Sequence, residues 1–118
     1  LLNFGHTLGH AIEKEMNFSL YHGECVVLGM IAALNICVEL GTITANERDD
    51  ALKTFALYEF PDHVTGIKID DVVAVSKNDK KMDAGKVKFI LLKSVGDAYI
   101  DRDITDDQMR RALEGVIR

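Results

Sequence analysis

The sequence predicts a mainly α protein, a helical bundle of about five helices with one small β-hairpin. Three observations carry that expectation. Apolar residues recur at helical spacing through most of the chain. The single proline, Pro61, leaves long stretches without an interior helix breaker. The period changes only near residues 87–100, where two short runs flank a turn. With 118 residues, 47% apolar and 28% charged, residues 1–118 are expected to form one domain around one core.

Leu8, Ala11 and Ile12 set the first helix at about Thr7 to Met16, with Glu13 and Lys14 on its polar face and the turn-like Asn17-Phe18-Ser19 behind it. The second helix runs from about His22 to Leu40. Val26, Val27, Met30, Ile31, Leu34 and Ile36 leave it few polar positions, which marks it as central to the bundle. Gly41 ends it. Thr44 and Glu47 have capping-box spacing and open a third helix through about Tyr58, stopped before Pro61.

Ile69-Asp70-Asp71 opens a fourth helix, its carboxylates near the positive end of the helix dipole, which continues to Lys77 or Asn78. Val87 to Leu92 reads as a strand, with Asp97-Ala98-Tyr99-Ile100 as a short partner across the turn. Thr105-Asp106-Asp107 caps a last helix in which Met109, Ala112, Leu113, Val116 and Ile117 fall at helical spacing.

Composition excludes several function classes. A net charge of −5 disfavours nucleic acid, whose binding depends on Lys and Arg neutralising phosphates. No apolar run approaches the roughly 20 residues of a bilayer span, and the first residues lack a signal-peptide pattern. A cytoplasmic protein with no membrane partner is expected. Cys25 and Cys37 form no CxxC pair and read as buried, reduced thiols. The chain opens on Leu1-Leu2-Asn3-Phe4-Gly5-His6 with a motif already under way, as a segment of something longer would.

Three of the four histidines, His6, His10 and His22, fall in the first 22 residues. His6 and His10, four apart on a helix, share a face, and a short connection can bring His22 beside them. Neutral imidazoles suit zinc or another borderline metal, with His6 and His22 the first two candidate ligands; hydrogen bonding of partly buried histidines to backbone carbonyls explains the spacing equally well. The pair is not a zincin motif, because Thr7 stands where that motif needs glutamate. Gly5, Gly9, Gly23 and Gly29 each cost up to about 1 kcal/mol inside a helix. Either close packing of the first two helices or ligand access offsets that loss.

The run Leu2-Asn3-Phe4-Gly5-His6-Thr7-Leu8-Gly9-His10-Ala11-Ile12-Glu13, followed by His22-Gly23-Glu24-Cys25-Val26-Val27-Leu28-Gly29-Met30, closely resembles the signature of 3-dehydroquinate synthases. Asp79-Lys80-Lys81, Gly85, Lys88-Phe89-Ile90-Leu91-Leu92 and Val95-Gly96 resemble the family's carboxyl-terminal block in order and spacing. The resemblance implies the carboxyl-terminal metal- and substrate-binding helical domain of a larger two-domain enzyme. Such an enzyme converts 3-deoxy-D-arabino-heptulosonate 7-phosphate to 3-dehydroquinate and phosphate, in the shikimate pathway of aromatic amino acid biosynthesis.

By that resemblance His6 and His22 ligate Zn2+ (or Co2+), Asn3 and His10 meet the substrate with His10 as the catalytic proton carrier, and Lys80 or Lys81 meets it as well. NAD is the second implied cofactor, its site mostly outside this chain. The third metal ligand is implied to be a glutamate of a preceding nucleotide-binding domain, and neither Glu13 nor Glu24 is assigned that role. The isolated segment is therefore expected to fold without turning over substrate. A homodimer is compatible with the apolar second helix. Other readings are another sugar phosphate cyclase, an iron-dependent alcohol or glycerol dehydrogenase, or a non-catalytic helical packing or interaction module.

Overall fold

Two helices joined by a tight reversal dominate the computed structural model, which describes residues 5–77, 89–94, 97–101 and 104–118. Helix α1 spans His6–Glu15 and α2 spans His22–Leu40. Their contact is backbone on backbone. A β-carbon at Gly29 would collide with the Gly5 carbonyl and lie 2.5 Å from the Gly9 nitrogen, and one at Gly9 would lie 2.8 Å from the Cys25 carbonyl oxygen. Of the two explanations for these glycines, helix packing is the one the described contacts show; only at Gly23 is the space open, with Phe60 4.0 Å away.

The reversal between α1 and α2 places Asn17 and Phe18 at φ 52° and 57°, a left-handed conformation unusual for phenylalanine. It is held by the Phe18 amide donating to the Glu13 carbonyl at 3.0 Å and the Ser19 amide donating to the Met16 carbonyl at 3.0 Å. The second helix then starts at His22, where the Tyr21 amide donates to the Glu24 carboxylate at 3.1 Å.

Helix α2 is the axis of the core. It packs against α1, against α3 (Ala45–Leu57), against β1 (Phe89–Ser94) and against α5 (Asp106–Leu113), while α4 (Ile69–Lys77) closes on α1 and α5. Leu28, Ile36 and Cys37 are fully buried on α2, and Leu8, Ile12, Val72, Met109 and Leu113 meet them from the other helices. Five helices among the described residues agree with the expected bundle. By length and composition alone α2 is long and apolar enough to cross a bilayer, contrary to the expectation that no run comes close. The neighbouring helices supply the apolar surroundings instead, and every apolar residue of α2 except Leu40 is at least partly buried.

Cysteines 25 and 37 are both buried, and neither forms a disulfide. Helix boundaries fall within one or two residues of expectation where a cap marks them. Gly41, at φ 78°, ends α2; Thr44 and Thr105 accept at Oγ1 from the Glu47 and Gln108 amides, each at 3.1 Å. β1 pairs antiparallel with β2 (Asp97–Asp101), with Ile90 opposite Ile100 and an irregularity between Leu92 and Ser94; Val87, which the sequence put in this strand, lies outside the described residues.

The last helix is shorter than its apolar periodicity suggests. It ends at Leu113, because Glu114 turns extended and Gly115 adopts φ 80°. Val116 and Ile117 stay in the core by another route. The Val64 amide donates to the Val116 carbonyl at 2.7 Å, and the Arg118 amide donates to the Val64 carbonyl at 2.8 Å. Burial, not helicity, was the signal in those two residues.

Candidate metal and substrate site

The α1–α2 reversal brings His10 and His22 to one carboxylate, with His6 stacked on His10. On α1, His6 and His10 lie one turn apart with their rings stacked, centroids 5.7 Å apart and planes 12° from parallel. One further turn along the same face sits Glu13. Its Oε1 is 3.7 Å from His10 Nδ1, and its Oε2 is 3.0 Å from His22 Nδ1 at the start of α2. The first distance is an electrostatic approach and the second a hydrogen bond.

Exposure grades across the group. The Glu13 side chain is 11% exposed, His10 31% and His22 68%. A carboxylate so removed from water needs partners; His22 provides a hydrogen bond and His10 a nearby imidazole. The sequence places Glu13 on a polar face, but the residue is only 8% exposed, because the start of α2, with His22 and Cys25, lies against it. Spacing held an overlooked signal, since His10 and Glu13 are three apart and share a helix face.

Glu24 is committed to capping α2 through the Tyr21 amide. Cys25 is buried nearby, its thiol pushed up to about 11 by burial first and then by the Glu13 and Glu24 charges. A thiol held protonated at neutral pH is a poor metal ligand. Among the described residues no three His, Cys, Asp or Glu side chains are arranged to hold a metal ion together. What the chain offers is a partial donor set. His22 Nδ1 is engaged by Glu13, so Nε2 is the nitrogen left to a cation, and His6 and His10 supply further imidazoles one turn apart. Neutral imidazoles backed by a carboxylate suit zinc, so the residues present fit such an ion given a further ligand from elsewhere. Of the other candidate site residues, Asn3, Lys80 and Lys81 lie outside the described residues.

The chain is similar to known proteins in sequence and in fold. The family model described as 3-dehydroquinate synthase C-terminal matches residues 1–82. A 3-dehydroquinate synthase of Nostoc punctiforme is 38% identical over 121 residues, covering 98% of this chain and 32% of the relative. That of Acetivibrio thermocellus is 39% identical over 114 residues, covering 96% and 32%. Among solved structures, a 2-epi-5-epi-valiolone synthase from Streptomyces hygroscopicus subsp. jinggangensis 5008, with NAD+ and Zn2+ bound, superposes with a TM-score of 0.84 at 24% identity, over 97% of this chain and 32% of its own. The chain thus spans about a third of the length of the curated relatives it matches. With matched residues running through both histidine-bearing helices, the chain belongs to the 3-dehydroquinate synthase carboxyl-terminal family.

Proposed function

We propose that this chain is the metal- and substrate-binding part of a 3-dehydroquinate synthase, acting on 3-deoxy-D-arabino-heptulosonate 7-phosphate to give 3-dehydroquinate and phosphate. The observation that carries the proposal is the continuous group formed by His6, His10, Glu13 and His22 at the α1–α2 reversal. It is assembled by residues that also carry the family resemblance.

In this reading His6 and His22 hold the metal, with a third ligand from a nucleotide-binding domain that also binds NAD. The bound ion supplies Lewis acidity toward substrate hydroxyls. His22 presents one nitrogen outward because Glu13 engages the other. His10 stays off the metal, and its partly exposed imidazole is placed to carry a proton to or from the substrate. Asn3 contributes an amide that both donates and accepts, and Lys80 or Lys81 contributes a cation for the acidic substrate. Two reduced cysteines fit a cytoplasmic enzyme.

The test is product identification with the full-length protein, NAD and zinc. Phosphate release coupled to 3-dehydroquinate formation is expected. A different cyclised product points to another sugar phosphate cyclase, alcohol oxidation without phosphate release points to an iron-dependent dehydrogenase, and either result rejects the proposal.

A further inference from the structure

The geometry points to Glu13 as a positioning residue for the metal-bearing histidine of α2, an inference that rests on the function proposed above. Glu13 touches neither end of the reaction in that scheme, yet it is the only carboxylate among the described residues set between two of the three histidines. Its Oε2 accepts from His22 Nδ1 at 3.0 Å. That bond selects the tautomer with the proton on Nδ1 and leaves the Nε2 lone pair for a cation. The arrangement is a carboxylate–histidine–metal relay, in which the carboxylate fixes ring orientation and raises ligand basicity.

Two features show that the bond is built into the fold. The His22 ring is mostly exposed, so the hydrogen bond to buried Glu13 is what restrains it. The same residue also shapes the route to His22, since the Glu13 backbone carbonyl accepts from the Phe18 amide at 3.0 Å in the reversal. One residue therefore fixes both the turn and the ring that follows it. Its other oxygen, Oε1, faces His10 Nδ1 at 3.7 Å, which gives the metal-bearing and proton-carrying histidines a shared anchor.

The experiment uses the full-length protein with zinc, competed against a chelator, in Glu13→Ala, Glu13→Met, Glu13→Gln and His22→Ala variants. Ring-nitrogen NMR of the metal-free proteins at pH 8 reads the His22 tautomer independently of activity. Glu13→Ala and Glu13→Met are expected to lower zinc affinity about 10–100-fold and to release His22 into a mixture of tautomers. Glu13→Met keeps the volume of the buried side chain and covers the case in which the alanine variant does not fold. Glu13→Gln, whose amide oxygen still accepts from Nδ1, is expected to stay within a few-fold of the parent. Unchanged affinity in Glu13→Met, or lost affinity with the His22 ring signal unaltered, overturns the positioning role while His22→Ala still loses zinc. Retention of zinc by His22→Ala instead overturns the metal-site reading itself.

Discussion

A β-carbon built on Gly29 of α2 would sit 2.7 Å from the α-carbon of Gly9 on α1. Side chains on two helices that meet at their glycines are set by backbone geometry, with no flexible atom between them to yield. Gly29→Ala is therefore expected to force the helices apart and destabilise the protein by about 3 kcal/mol, at the upper end of overpacking losses. Gly66→Ala should cost only about 1–2 kcal/mol, because nothing lies within 4 Å of that glycine and the only loss is alanine's reluctance to adopt its φ of 88°. Thermal unfolding of the two variants gives the comparison, and equal shifts would contradict the packing account.

Much of this was legible in the sequence, and the reasons for the exceptions are physical. Caps are local chemistry, so Thr44, Thr105 and Gly41 announced their helix ends. The shared face of His6 and His10 was equally visible, since helical spacing determines it. Tertiary contacts were not. Glu13 looked solvent-facing because a single helix cannot show what its neighbour will cover. Val116 and Ile117 kept helical spacing for the sake of burial while Gly115 had already left the helix. The four glycines gave the same sequence signal for packing as for ligand access, and only the crossing of α1 and α2 distinguished them.

The capping boxes supply a separate test of local stability. Thr105 accepts from the Gln108 amide at 3.1 Å, and its own amide donates to Gln108 Oε1 at 2.8 Å. Thr105→Ala should cost about 1 kcal/mol, and Thr44→Ala a similar amount for α3. The sites lie on different helices with no shared partner, so denaturant midpoints of the double variant should reflect nearly additive losses.

Cys25 carries a pH dependence. Burial, reinforced by the Glu13 and Glu24 charges, raises its thiol from 9.0 to about 11. The unfolded thiol ionises first as pH rises, so the stabilisation from keeping it neutral is fully present below about pH 9 and is lost as pH climbs toward 11. Cys25→Ala should flatten the decline in stability across that window relative to the parent. At pH 8 the native thiol should also react with iodoacetamide far more slowly than a free cysteine, and rapid modification in the folded state would contradict its burial.

The most direct test of the central claim is zinc content measured by elemental analysis in three full-length variants. His6→Ala and His22→Ala are expected to lose bound zinc, while His10→Ala keeps it and loses turnover. Zinc retained at the parent level in both His6→Ala and His22→Ala would contradict the assignment of these two imidazoles to the metal.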